Sequence, residues 1–160
     1  KLMESSKKLR TAITKLFGER AYVDKKLNRA YIAEKVFENT ELLGRLNAIV
    51  HPAVREDFIQ WAKKQKSPYV IQESAIIFEN GLQDFYDKII LITAPKEIRL
   101  ERVMKRDKTP KSKILARMGS QWDDVKKRSI SNFVIENIVL KDTRKSVKEV
   151  HRQLLDLYGV

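Results

Sequence analysis

Apolar residues recur at helical spacing through most of this chain, and the places where that spacing fails mark its strands and turns. Leu9, Ile13, Leu16 and Phe17 share one helical face between Lys7 and Phe17, with Ser5 or Ser6 as the cap and Gly18 as the stop. Glu19–Lys26 reads as a connection with a short apolar patch at Ala21-Tyr22-Val23. Leu27-Asn28-Arg29 opens a second helix carrying Tyr31, Ile32, Val36 and Phe37. Asn39 or Thr40 caps a third, in which Leu42, Leu43, Leu46, Ile49 and Val50 repeat. Proline disfavours helical geometry at the residue before it, so that helix is expected to break at His51 and a new one to run from Pro52 to about Lys66.

The apolar runs Tyr69–Ile71 and Ile89–Thr93 are too short for helices and rich in β-branched residues, as strands buried on both faces are. Asn132-Phe133-Val134-Ile135 predicts a third strand. Helices are expected at Lys96–Arg106, from a Thr109-Pro110 cap to about Ser120, and at Val125–Ser129 behind Asp123-Asp124. A last amphipathic helix, capped by Asp142 or Thr143, carries Val147, Val150, Leu154, Leu155 and Leu157. Strands alternating with helices predict an α/β fold with a parallel sheet, whose chemistry collects at the carboxyl ends of the strands. Glu73, Glu79 and the helix starting near Lys96 fall there. Three short strands are nevertheless few for so many helices.

Composition narrows the chemistry. The 160 residues suit one domain, and they include no cysteine and only two histidines, His51 and His151, so thiolate, disulfide and zinc chemistry are set aside. No apolar run nears the roughly 20 residues that span a bilayer, and the first residues lack a signal-peptide core, which makes a cytoplasmic protein the expectation. A net charge of +12 points to anionic partners. The lysines are scattered, without an arginine-rich arm or an aromatic RNA-stacking motif, and a lysine-rich solubilising surface gives the same total.

Arg99, Arg102 and Arg106 lie three and four residues apart on one helical face, with Arg117 in the next helix and Arg128 beyond. Arginine binds phosphate oxygens bidentately, and such a helical pair over a nucleotide would stabilise charge in phosphoryl transfer. The same residues also fit a solvated basic face paired with Glu97, Glu101 and Asp107. His51 is a candidate base or a packed residue at a helix break. Glu73 suits a substrate or a metal-bound water as well as it suits nearby backbone amides. Asn137, just past the third strand, stands where loops read nucleobases, and Gln121-Trp122 suits a packed corner.

Together these segments resemble the dephospho-coenzyme A kinase family of P-loop enzymes. The resemblance rests on Leu27-Asn28-Arg29, Asn47-Ala48-Ile49-Val50-His51-Pro52-Ala53-Val54 and Glu73-Ser74-Ala75-Ile76-Ile77-Phe78-Glu79-Asn80-Gly81-Leu82. It continues through Asp87, Ala94-Pro95, Leu100-Glu101-Arg102-Val103-Met104-Lys105-Arg106-Asp107, Ala116-Arg117-Met118-Gly119-Ser120-Gln121 and Phe133-Val134-Ile135-Glu136-Asn137. It implies a nucleoside-monophosphate-kinase-like parallel sheet flanked by helices, a helical coenzyme-A-binding insertion around Leu27–Lys66 and a lid around Arg106–Arg128. The implied reaction transfers the ATP γ-phosphoryl group, with Mg2+, to the ribose 3′-hydroxyl of dephospho-coenzyme A. By position, Arg106 and Arg117 are implied as catalytic phosphate contacts and Asn137 as a neighbour of adenine. Arg29, His51, Glu73 and Glu79 are implied on the acceptor side, with no nucleic acid or membrane as partner.

The family opens with a Gly-rich loop, G-x-x-x-x-G-K-[ST], and places an acceptor-activating aspartate after the following strand. This sequence has neither, its five glycines being scattered. Roughly 30 residues, about one β-α-β unit, are therefore expected to be missing. Without that unit, the 160 residues are expected neither to turn over ATP nor to form a stable monomer; a folded chain would imply either further residues upstream or an altered sheet in which the strands at Tyr69–Glu73 and Lys88–Thr93 pair directly or with another chain. Another small-molecule kinase, such as a nucleoside-monophosphate kinase, and a basic nucleic-acid-binding domain are the competing readings.

Overall fold

A computed structural model of the chain describes residues 2–37 and 39–159. They form two compact units, Lys1–Val70 and Ile71–Val160.

In the first unit, α1 (Leu2–Ser5) leads into α2 (Lys7–Phe17), where Ser6 Oγ accepts the Leu9 N–H at 3.3 Å. Gly18 ends α2 at φ +80, a conformation open to glycine. The expected plain connection is instead a 3-10 turn (Glu19–Ala21) and a small antiparallel hairpin, β1 (Tyr22–Val23) with β2 (Lys26–Leu27). Asp24 and Lys25 both hold positive φ, 48° and 64°, as the tight two-residue turn of a twisted hairpin requires. Asn28 Oδ1 accepts the Tyr31 N–H at 3.2 Å and caps α3 (Arg29–Phe37). Ile13, Phe17, Ala21 and Ile32 form the buried centre, against which Leu42, Leu46, Ile49 and Val50 of the next helix, α4 (Thr40–Ala62), pack. The Tyr31 hydroxyl donates to the Phe17 carbonyl at 3.1 Å, and the Tyr22 hydroxyl to the Met3 carbonyl at 2.7 Å.

α4 runs unbroken from Thr40 to Ala62 with Pro52 inside, and Asn39 caps it through the Leu42 N–H at 2.8 Å. The break expected at His51 does not occur. Proline deletes one backbone donor, and the apolar rows anchored on the core carry the helix through that gap.

The second unit is built on a parallel pair, β3 (Ile90–Thr93) beside β4 (Phe133–Glu136), in the register Ile90↔Phe133 to Thr93↔Glu136. Between them come α5 (Lys96–Asp107), α6 (Lys111–Gly119) and α7 (Asp124–Ser129), and α8 (Leu140–Tyr158) follows β4. Ile89, Ala94, Ile114, Ile135, Val150 and Leu154 are its buried apolar residues together with Phe78. Asn132 Oδ1 takes the Ile89 N–H at 2.8 Å, which fixes where β4 joins β3. Asp123 caps α7 as expected, with Oδ1 on the Lys126 N–H at 2.7 Å.

Three local expectations are corrected. Residues 69–73 enter no ladder among the described residues, and they do not pair with β3, because β-branched composition makes a strand only where a neighbour supplies the hydrogen bonds. Thr109 does not cap α6; its hydroxyl donates back to the Asp107 carbonyl at 3.3 Å, and Lys111 starts the helix behind Pro110. α8 begins at Leu140, two residues before Asp142, and Thr143 turns its hydroxyl onto the Val139 carbonyl at 3.0 Å.

Candidate active site

The carboxyl ends of β3 and β4 are joined by a polar network. Thr93, almost fully buried, accepts the Asn137 N–H on its carbonyl at 2.7 Å and faces Arg128 with its hydroxyl at 3.5 Å. Arg128 also meets Glu136 at 3.1 Å. The Asn137 side-chain oxygen lies 3.3 Å from the Thr143 hydroxyl. Arg102 reaches over from α5 and donates to the carbonyls of Asn137 and Ile138 at 2.6 and 2.9 Å. The turn that carries Asn137 is therefore held by three different elements.

The basic face of α5 divides by function. Arg99 forms a two-point ion pair with Asp124 at the start of α7, at 3.0 and 3.3 Å, and Arg102 serves the β4 turn. Neither is presented as a phosphate ligand. Arg106 stands further out, clasping Asp107 through Nε at 2.6 Å and Nη2 at 3.0 Å. That hydrogen-bonded guanidinium, with the more distant Arg117 adding to it, holds the Asp107 carboxyl below its usual range. The Arg106 guanidinium is raised by Asp107 first and also feels Glu73. Glu73, Arg106, Asp107 and Arg117 thus share one electrostatic neighbourhood, and Glu73 and Arg117 are solvent-exposed. Arginines of this kind, next to a carboxylate that a polyphosphate would displace, can take up anionic oxygens in pairs.

Glu79 behaves differently from Glu73. Its Oε1 accepts the Trp122 N–H at 2.8 Å and pairs with the Lys127 ammonium at 2.7 Å, both side chains being almost entirely buried. Burial pushes its carboxyl up, but Lys127 and the backbone N–H groups outweigh burial and leave it below the ordinary glutamate range. Phe78 stacks on Trp122 with centroids 6.2 Å apart, and Gln121 Nε2 donates to the Ala75 carbonyl at 3.4 Å. The turn at residues 75–81 is thereby fastened to the corner after α6. Lys127 carried no sequence signal, as one of 33 lysines and arginines in a basic chain.

Arg29, at the start of α3, is exposed, and His51, in the middle of α4, is half-buried. Both belong to the first unit, whereas Glu73, Glu79, Arg106, Arg117 and Asn137 belong to the second. Among the described residues no three His, Cys, Asp or Glu side chains converge on a metal site, and no helix is long and apolar enough to cross a membrane.

A parallel α/β unit whose strand ends are flanked by an arginine-bearing helical pair has the parts of a protein that binds phosphate-bearing small molecules. The comparisons with known proteins narrow the class. The family model CoaE, dephospho-CoA kinase, matches residues 1–142, and the chain belongs to the dephospho-CoA kinase family. It is 34% identical over 138 residues to a dephospho-CoA kinase of Bacteroides fragilis, covering 86% of this chain and 67% of the relative. Against that of Porphyromonas gingivalis it is 38% identical over 120 residues, 75% of this chain and 59% of the relative. Among solved structures, "Crystal structure of TT1252 from Thermus thermophilus" matches with a TM-score of 0.79 and 32% identity over 91% of this chain and 76% of that one. A dephospho-CoA kinase from Campylobacter jejuni matches at 0.54 and 26%, over 96% of this chain and 78% of that one.

Proposed function

We propose that this chain supplies the lid arginines and the acceptor side of an ATP- and Mg2+-dependent dephospho-CoA kinase, and that turnover requires a Gly-rich phosphate-binding segment, which the 160-residue sequence does not contain. The observation that carries the reading is the Arg106–Asp107 clasp at the end of α5, with Arg117 of α6 and Glu73, just ahead of the turn at residues 75–81, in the same electrostatic neighbourhood. In it, Arg106 and Arg117 take the transferring phosphate, where positive charge on developing oxyanions stabilises the transition state. Asn137, whose side-chain amide lies 3.3 Å from the Thr143 hydroxyl, serves adenine. In the second unit Glu73 serves the acceptor, and Glu79 shapes the acceptor turn through Lys127 rather than touching the ligand; in the first unit Arg29 and His51 are proposed as acceptor contacts in their own right.

Two further features support the requirement for an added strand. β3 has a ladder neighbour on one side among the described residues, and Ile71 and Ile92 expose 68% and 52% of their surface. A strand added at the open edge of β3 would satisfy its unpaired backbone groups, and the helix that such a unit brings would cover exposed apolar side chains of this kind. Magnesium commonly takes one or two carboxylates plus substrate phosphates. With no convergent donor set among the described residues, none of them is given a metal-binding role.

The test is phosphorylation by the complete enzyme, with ATP and Mg2+, of dephospho-CoA, AMP or shikimate, read as product by chromatography. Coenzyme A should form, and the 160-residue chain by itself should give no turnover. Robust phosphorylation of AMP or shikimate with none of dephospho-CoA refutes the assignment.

A further inference from the structure

Lys127 is a lysine with 8% of its surface exposed, in a chain of net charge +12. Nothing in the phosphate-binding role uses it. Its ammonium is spent on Glu79, whose second carboxylate oxygen is buried without a partner. Burying two charges costs several kcal/mol in desolvation, and an apolar pair of similar volume would often serve folding as well or better. What the ionic pair adds is direction. Glu79 Oε1 receives Lys127 from α7 and the Trp122 N–H from the corner just beyond α6. The Phe78–Trp122 stack and the Gln121 bond to Ala75 sit on the same corner. Lys126 closes it from outside, with Nζ 3.4 Å from the centroid of the Trp122 ring.

Resting on the assignment of Arg117 to the transferring phosphate, we propose that Lys127 is a positioning residue for phosphoryl transfer, which acts by holding Glu79 on the Trp122 corner and so fixing the end of the helix that carries Arg117. Lys127 touches neither substrate. It sets the place from which Arg117 reaches the phosphate, and it ties that place to the turn at residues 75–81. A small displacement of a catalytic arginine lowers the rate far more than it weakens ground-state binding.

The test is a double-mutant cycle in the complete enzyme. Lys127→Met should lower kcat at least tenfold with KM for ATP changed less than threefold. Glu79→Leu/Lys127→Met, which leaves no unpaired buried charge, guards against a single variant that fails to fold. It should regain thermal stability without regaining kcat. Arg117→Ala should cost more than tenfold in the parent and less than threefold in the double-variant background. An equal cost of Arg117→Ala in both backgrounds overturns the proposal. Hydrogen exchange reads the anchoring without turnover: protection of the α6 amides should fall tenfold or more in the double variant while α8 keeps its own. Unchanged α6 protection also overturns it. Absence of coenzyme A formation by the parent would strike the kinase assignment alone, since exchange still decides whether Lys127 anchors α6.

Discussion

Replacing Glu79 by alanine leaves the Lys127 ammonium buried without a counter-charge, and the size of the effect follows from that geometry. Only 10% of the Lys127 side chain and 13% of the Glu79 side chain are exposed, so water cannot readily take the carboxylate's place. Breaking such a pair from one side costs about 3–5 kcal/mol, against about 5–15 kcal/mol for a whole domain. A loss of 1 kcal/mol lowers the melting temperature of a domain this small by about 4–8 °C, so a fall of at least ~12 °C is expected. The two tryptophans fall one in each unit, Trp61 in the first and Trp122 in the second. In a Trp61→Phe background, fluorescence reports the second unit through the Phe78–Trp122 stack, and urea titration gives the free energy. Glu79→Leu/Lys127→Met should recover most of the loss. The pH dependence has a definite sign. The folded Glu79 carboxyl lies below its unfolded value of about 4.3, so its contribution is complete above that pH. It is lost as the pH falls through the folded value, and wild type and Glu79→Gln should converge in acid. A loss below ~1 kcal/mol for Glu79→Ala, the size seen for exposed ion pairs, would show that water reaches the pair and would refute the reasoning.

In the complete enzyme, Arg117→Ala should lower kcat by more than tenfold while the melting temperature hardly moves, since an exposed arginine contributes little to folding; an unaltered kcat would return Arg117 to the solvated surface. Ile13→Ala opens a cavity at a fully buried large side chain of the first unit and should cost about 2–5 kcal/mol by denaturant titration. That loss should appear in Trp61 fluorescence and leave the Trp122 transition in place.

Local chemistry wrote much of this protein directly into its sequence. Ser6, Gly18, Asn39 and Asp123 end or begin helices where their side chains or backbone freedom satisfy the helix termini, and α2 buries Leu9, Ile13 and Phe17 of its expected row, whereas α8 buries Val150 and Leu154 and leaves Val147 and Leu157 exposed. The strands at β3 and β4 were equally legible, because a dense β-branched run between turn signals has few other uses. So was the family, since the motifs from Asn47 to Asn137 keep their order and spacing. Other features depended on partners distant in the chain. Residues 69–73 have strand composition, yet a strand exists only when a neighbour completes its hydrogen bonds, and none does among the described residues. Pro52 looked like a helix end because its clash is local, while the packing that carries α4 past it is not. The three arginines of α5 are alike in sequence; only the fold gives Arg99 to Asp124 and Arg102 to two backbone carbonyls, while Arg106 takes its chain neighbour Asp107, one of the partners expected for that face. Lys127 is the clearest case, for periodicity identifies the side of a helix but not which of many lysines will meet a carboxylate 48 positions earlier in the chain. Short-range preferences are set by each residue and its neighbours, whereas the cost of burying a charge, and the partner that offsets it, come into being only when distant segments close around the same space.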